Sequence, residues 1–437
     1  MSIDAAPMTR MASRATGLSL TALAAVASPA AEVDFRPTLS FGLFHDGNTA
    51  VVGSATGQGD DVAAVAADLA VERRTPDTVL EFSYRPAFVA YRNQRSLNYF
   101  GQAVDLNYSR SSSRVARYTF DLNIHQTERQ GVRETSPSEA VTFVPRSTQT
   151  HVGLRAHGAY EGRRNLTDWE ARASLEDYSA PRGSETSDPP SCTVAQDCDD
   201  QNSCTDDACI AGSCQHQSSP NCALEDSTNV GAAATWRYEI SEQSAVGLGL
   251  VLDAMLYDTL PSVYVESFGI VGAHTFDRAT SIAYAVGVSR ASSTASSDTS
   301  LAADVSVART ITAVSSLGAG IRQSVSPGSG LGGVSLDTGG WVAYAHTAPR
   351  PGLTGSLTAG YWRRDPLAVG TASADASTTT LSAVASLGWN FNRYLTLNII
   401  DSFADQTSSD PATLDTRYNS YGFSLNWDIR GRRESHR

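Results

Sequence analysis

The sequence predicts an all-β fold: a single transmembrane antiparallel β-barrel of about 18 strands, with both termini on the periplasmic side. Three observations carry this. Apolar and polar residues alternate with a period of two through most of the chain, giving each extended segment a greasy face and a polar face. Connections between these segments are alternately short and long along the whole chain. No stretch approaches the ~20 apolar residues of a membrane helix, so a membrane crossing has to be built from strands closed into a ring.

Length and composition allow two or three soluble domains or one large barrel, and length alone does not decide. The 437 residues are 41% hydrophobic and 18% charged, with the apolar residues spread thinly over short segments. There is no lysine, so all 33 basic residues are arginine, which points to a GC-rich coding sequence rather than to an activity. A net charge of -13 argues against a general nucleic-acid binder, because phosphate contacts need basic patches. The nearest to such a patch, Arg430, Arg432, Arg433 and Arg437, reads as a solvated periplasmic tail over 430–437.

Residues 1–31 read as a secretory signal peptide. Arg10 and Arg14 precede the short apolar run Leu18 to Ala27, and small residues Ser28, Pro29, Ala30 and Ala31 follow, with cleavage expected after Ala27, Ala30 or Ala31. The barrel is expected over 32–429. Phe35, Leu39, Phe41 and Leu43 oppose Arg36, Thr38, Ser40 and Gly42; Val65, Ala67, Leu69 and Val71 oppose Ala66, Asp68 and Glu72. Beyond Thr75-Pro76-Asp77, Leu80, Phe82, Tyr84 and Phe88 oppose Glu81, Ser83 and Arg85. The pattern returns over 97–110, 114–127, 147–160, 165–178, 228–240, 243–257, 260–275, 279–292, 298–309, 311–325, 334–347, 352–363, 376–390, 393–404 and 416–429. In 260–275, Glu266 and His274 share the parity of Phe268 and Ile270, so its faces stay unassigned and it is a candidate for a bulge.

Short turns are expected at 75–78, 111–113, 161–164, 241–243, 276–278, near Thr310, and at 349–352 and 391–393. Longer polar connections fall at 46–60, 127–146, 179–227, 292–298, 325–333, 364–376 and 405–415. In outer-membrane barrels the short set is periplasmic and the long set external. Tyr238, Phe276, Trp389, Phe391, Tyr394 and Trp427 gather near short turns as candidates for an interfacial girdle.

The last strand is the clearest. Tyr421, Phe423, Leu425, Trp427 and Ile429 share one parity, and Ser420, Gly422, Ser424, Asn426 and Asp428 the other. This order resembles the C-terminal assembly signal of outer-membrane β-barrels, with Ser420, Gly422, Leu425 and Trp427 at its positions. It departs from the usual pattern in that ten residues, Asp428 to Arg437, follow the final aromatic.

All six cysteines, Cys192, Cys198, Cys204, Cys209, Cys214 and Cys222, fall in the longest connection, so 185–225 is expected to be a disulfide-rich extracellular insertion whose pairing spacing does not determine. Paired C-x-x-C knuckles are missing, which disfavours zinc, and Asp197, Asp199, Asp200, Asp206 and Asp207 lack the glycine of an EF-hand, which disfavours calcium. The run Cys198 to His216 resembles cysteine-rich units of secreted myxobacterial proteins.

If the apolar parity meets lipid, the other lines a lumen. That assigns to the wall Arg36, Asp68, Glu72, Arg74, Glu81, Arg85, Asp105, Arg117, Asp121, His125, His151, Arg155, His157, Asp168, Glu170, Arg172, Glu176, Arg237, Glu239 and Asp253. Unpaired ions in a dry interior cost several kcal/mol each, so the lumen is expected to be wet or salt-bridged. Later strands contribute small groups such as Ser306, Ser382, Ser386, Gly422 and Ser424. About 18 strands enclose enough space for an aqueous channel, and mixed signs argue against strong ion selectivity. The reading is not an enzyme: His125, His151 and His157 with Asp121 can be drawn as a triad, but no nucleophile elbow or zinc-protease motif accompanies them.

The opening strand Phe35 to Asn48, repeats such as Thr78 to Pro86, and the lack of a plug domain together resemble the barrels of exopolysaccharide export loci, including myxobacterial members. The resemblance implies a passive exit pore for a polysaccharide, without cofactor, assembled in outer-membrane lipid by the barrel-assembly machinery and fed by a periplasmic export protein. A general diffusion porin, constricted by 127–146 or 179–227, and a surface adhesin acting through the cysteine-rich loop are the alternatives.

Overall fold

The computed structural model describes residues 32–47, 59–95, 98–113, 115–129, 132–133, 142–143, 147–179, 205–210, 213–218, 226–257, 261–327, 334–348, 352–367, 369, 377–409 and 416–429. The expected signal peptide, the cysteine side chains with the disulfides expected of them, and the tail at 430–437 lie outside the described residues.

Five strands open the chain: β1 (Glu32–Asp46), β2 (Asp60–Arg74), β3 (Thr78–Tyr91), β4 (Tyr99–Ser113) and β5 (Ala116–Arg129). Two very short strands, β6 (Val132–Arg133) and β7 (Thr142–Phe143), pair with each other before β8 (Ser147–Glu161) and β9 (Asn165–Ser179). A hairpin of β10 (Thr205–Ile210) and β11 (Ser213–Ser218) sets the backbone of Cys209 opposite that of Cys214. The remainder are β12 (Ser227–Ser241), β13 (Ser244–Tyr257), β14 (Val263–Thr275), β15 (Thr280–Ser292), β16 (Ser297–Thr312), β17 (Ser315–Pro327), β18 (Val334–Thr347), β19 (Leu353–Leu367), β20 (Thr378–Asn390), β21 (Leu395–Ser408) and β22 (Thr416–Asp428).

The two small hairpins aside, each strand pairs antiparallel with the next, and β1 pairs with β22, Phe41 opposite Leu425. The 18-stranded sheet therefore closes on itself and has no edge to protect. Its strands run 13–16 residues, more than the ~9–11 needed to cross a bilayer at a tilt. Connections at one end are two to five residues long, while those at the other reach 47 between β9 and β12.

Side chains sort by parity as the period of two demands. Phe41, Leu43, Phe268, Ile321, Leu357 and Phe423 are among many large apolar side chains that stay exposed, and they make up the convex face. The other parity turns inward, where side chains of strands that are not neighbours meet. Met255, Tyr257, Val263, Val265 and Ala291 form one inner cluster, joined by Val334 from the first position of β18 and by Val369 from the β19–β20 connection, and Val62, Val89 and Tyr91 form another against Phe44 and Tyr99. Both clusters sit at the long-connection end.

Three local expectations need correction. The turn expected near Thr310 lies farther on, because β16 continues to Thr312, and the turn expected at 111–113 is still strand in β4. In both places the register shifts, between Ser111 and Ser113 and between Thr310 and Thr312, so an extra residue prolongs the ladder through a Ser/Thr-rich end. By contrast β14 carries no bulge and pairs in unbroken register with β13 and β15. Its alternation looked poor because Val263 and Val265 are apolar and buried inside while Glu266 shares the outer parity of Phe268 and Ile270, close to the long-connection end.

Short turns are closed by side-chain oxygens. Thr75 Oγ1 accepts the Thr78 N–H at 3.0 Å, and Asn392 Oδ1 accepts those of Tyr394 and Leu395 at 2.8 and 3.0 Å. Asp277 accepts the Ala279 N–H at 2.7 Å, which holds its carboxyl below the ordinary carboxylate range.

At the seam between β1 and β22, Ser40 donates to Asn426 at 2.5 Å. Gly422 stands opposite Phe44, and a Cβ there would lie 2.4 Å from Phe44 Cβ and 2.5 Å from the Leu43 carbonyl oxygen. The glycine of the C-terminal pattern thus gives the Phe44 side chain room across the closing pair.

Candidate functional site

The inner wall divides into two arcs. From β1 to β13 it carries cross-strand ion pairs set diagonally on the ladder, the geometry in which long side chains of adjacent strands reach each other. Glu72 binds Arg36 closely and Arg74 at 2.6 Å, and Arg36 also meets Asp34 at 3.3 Å. On β3 and β4, Arg85 pairs closely with Asp105, whose other oxygen lies 3.3 Å from His125 Nε2. Farther round, Arg155 reaches Glu170 at 2.5 Å, Arg237 reaches Asp168 at 2.8 Å, and His151 approaches Glu176 at 3.7 Å.

Arg172 makes the longest reach. It stands opposite Gly231 on β12, and Gly231 stands opposite Asp253 on β13. Arg172 crosses that glycine to donate to Asp253 at 2.7 Å while staying 3.8 Å from Glu170. A Cβ on Gly231 would lie 2.1 Å from Asp253 Oδ1 and 2.8 Å from Arg172 Nε, so only glycine leaves this path open.

The arginines are half exposed, Arg36, Arg85, Arg155 and Arg172 keeping 45–54% of their side-chain surface open, while the carboxylates they meet are more covered. Water screens such pairs, so each stabilises the fold by only about 0–1 kcal/mol. Their main effect is to leave a polar wall in which neighbouring signs alternate.

Not every residue named for the wall joins the network. Asp121 takes a close hydrogen bond from Asn107 rather than from an arginine. Glu81 lies directly opposite Glu72, and Asp68 Oδ1 is buried without a hydrogen-bond partner among the described residues. Arg117 and Glu239 sit near the short-turn end, with Ala159 and Ala245 as their respective cross-strand neighbours.

The histidines do not converge as a triad. His125 faces His151 across the β5–β8 pair with ring centroids 6.1 Å apart, and its carboxylate contact is Asp105. Among the described residues no group of three metal-ligating side chains comes together.

No protein-family model matches the chain, and no curated protein matches it. Among solved structures, it is similar to OpdQ of Pseudomonas aeruginosa, at 10% identity and a TM-score of 0.43, over 91% of this chain and 98% of that one. The outer membrane protein OpdK of the same organism is 12% identical with a TM-score of 0.45, again over 91% and 98% of the two chains. The FrpB iron transporter from Neisseria meningitidis is 10% identical with a TM-score of 0.49, over 87% of this chain and 64% of that one.

From β14 to β22 the wall is built mainly of small and hydroxyl groups, as in the Ser267–Ser289 and Ser356–Ser386 contacts of 2.8 and 2.7 Å. Asp304–Arg322 at 3.8 Å and Asp337–Arg364 at 2.8 Å add isolated ion pairs. Sequence reading missed two inward tryptophans here, Trp341 and Trp362. The signal was present, since Trp341 shares the parity of Asp337 and Gly339 rather than that of exposed Val342 and Tyr344. It also missed Val369, which is 2% exposed at the long-connection mouth.

Proposed function

We propose that the protein is an outer-membrane channel that conducts a hydrophilic solute passively, and that this solute is an exopolysaccharide leaving the cell. In this reading both termini and the short turns are periplasmic, and the long connections, with the cysteine-rich insertion, are external. Outer-membrane lipid surrounds the convex face, the barrel-assembly machinery inserts the chain, and a periplasmic export protein delivers the polymer.

One observation carries the reading: a closed ring of strands with large apolar side chains exposed outside and a half-exposed, charge-paired polar wall inside. The outside favours hydrocarbon, and the inside favours water and hydroxylated solutes. Purified protein in planar bilayers is expected to form stable conducting channels, and deletion of the gene is expected to leave polymer inside the cell. Channels without polymer retention would favour the second reading, a general diffusion porin. That alternative draws on Val369, the one described residue between β19 and Ser377, which packs on the inner cluster.

A further inference from the structure

The arc from β16 to β20 has a feature that ion pairing does not explain. Gly318 and Gly320 share the inner parity of β17, and Trp341 on β18 lies across both: a Cβ on Gly318 would meet Trp341 Cζ3 at 3.1 Å, and one on Gly320 would meet its Nε1 at 2.8 Å. The arrangement repeats one row along, where Cβ atoms on Gly339 and Gly360 would meet Trp362 Cε3 at 2.6 Å and Nε1 at 2.9 Å. Four glycines thus let two indoles lie down along the wall. Trp341 stays half-buried, while Trp362 is 2% exposed.

Hydrogen-bonding groups flank the rings in register. One row runs Asp304, Arg322, Gly339, Trp362, Thr380, and the next runs Ser306, Gly320, Trp341, Gly360, Ser382. The Ser356–Ser386 pair lies on the same inner parity of β19 and β20. An aromatic face bordered by hydroxyls and an ion pair matches a ring with one apolar face and a polar rim. A pyranose is such a ring, since its axial C–H groups carry partial positive charge toward the negative centre of an indole and its hydroxyls project from the edge.

We propose that Trp341, with the Asp304–Arg322 pair one row along on the two preceding strands, forms a stacking subsite for a pyranose ring of a passing saccharide chain. The proposal rests on the channel reading and names the chemistry by which the wall recognises its solute. Cellohexaose added to reconstituted channels is expected to block current in a concentration-dependent way. Trp341→Ala raises the half-blocking concentration about tenfold or more, and Trp341→Phe holds it within about threefold. Trp389→Ala, on the convex face, leaves it unchanged. Heat-modifiable mobility in gels verifies that each variant has folded. Equal block in wild type and Trp341→Ala, or conducting channels that cellohexaose does not block, overturns the subsite. Wild-type protein that forms no channels overturns the channel reading instead. The subsite is then judged by cellohexaose quenching of tryptophan fluorescence in detergent, which supports it if lost in Trp341→Phe and overturns it if retained.

Discussion

Arg172 reaches Asp253 only because residue 231 has no side chain. Gly231→Val is expected to sever that contact, yet to cost about 1 kcal/mol or less in urea unfolding from liposomes, since the Arg172 side chain is half exposed and water screens the pair. Gly422 is a different case. The atoms a Cβ would strike there are the Leu43 carbonyl oxygen and the Phe44 Cα and Cβ, none of which can swing aside as an arginine can. Gly422→Val should therefore lower the folded, heat-modifiable fraction far more than Gly231→Val. An equal effect of the two substitutions would show that closure does not depend on that space. The glycine was legible in the C-terminal pattern as a position, but its physical reason, a phenylalanine from the first strand lying over it, was not.

Strands were legible because hydrocarbon and water impose opposite demands on successive residues, and that signal is local. It weakened where the inside is not polar. At the long-connection end Val263, Val265 and Tyr257 point inward and pack, so both parities of β14 read as apolar and its faces could not be assigned. The same cause hid Trp341 and Trp362, large aromatic side chains on the inner parity, although Asp337 on the same parity as Trp341 marked its direction. Turns at 111–113 and near Thr310 were misplaced because a bulge extends the ladder without changing composition. A test of the face assignment belongs at mid-strand in β13. Leu250→Arg, on the convex face, is expected to cost about 2–4 kcal/mol in liposome unfolding, whereas Val251→Arg, on the concave face, should cost clearly less. Comparable costs at the two positions would refute the parity.

For the molecule as a whole, closure of the ring was foreseeable. The connections 127–146 and 179–227, expected to be the ones long enough to narrow the lumen, lie largely outside the described residues, while Val369 of a shorter connection is packed on the inner cluster. Val369→Asp is expected to loosen that contact and raise single-channel conductance, and unchanged conductance would remove the β19–β20 connection as a constriction. Farther down, six arginines and six carboxylates interleave in the ion pairs from β1 to β13. Fields from neighbouring opposite signs cancel within a few ångströms, and electrolyte with a Debye length of about 8 Å shortens them further. The paired groups therefore add little net potential on the axis, while Asp68, Glu81 and Asp121 stand outside those pairs and leave an excess of carboxylates on the wall. Reversal potentials in a KCl gradient should show at most a weak cation preference for the native protein and shift toward chloride once Glu72, Asp105 and Glu170 are neutralised together. On the channel reading, a wall whose charges are mostly paired sets no deep electrostatic trap, so an uncharged or weakly charged chain would be slowed only where one of its rings can stack.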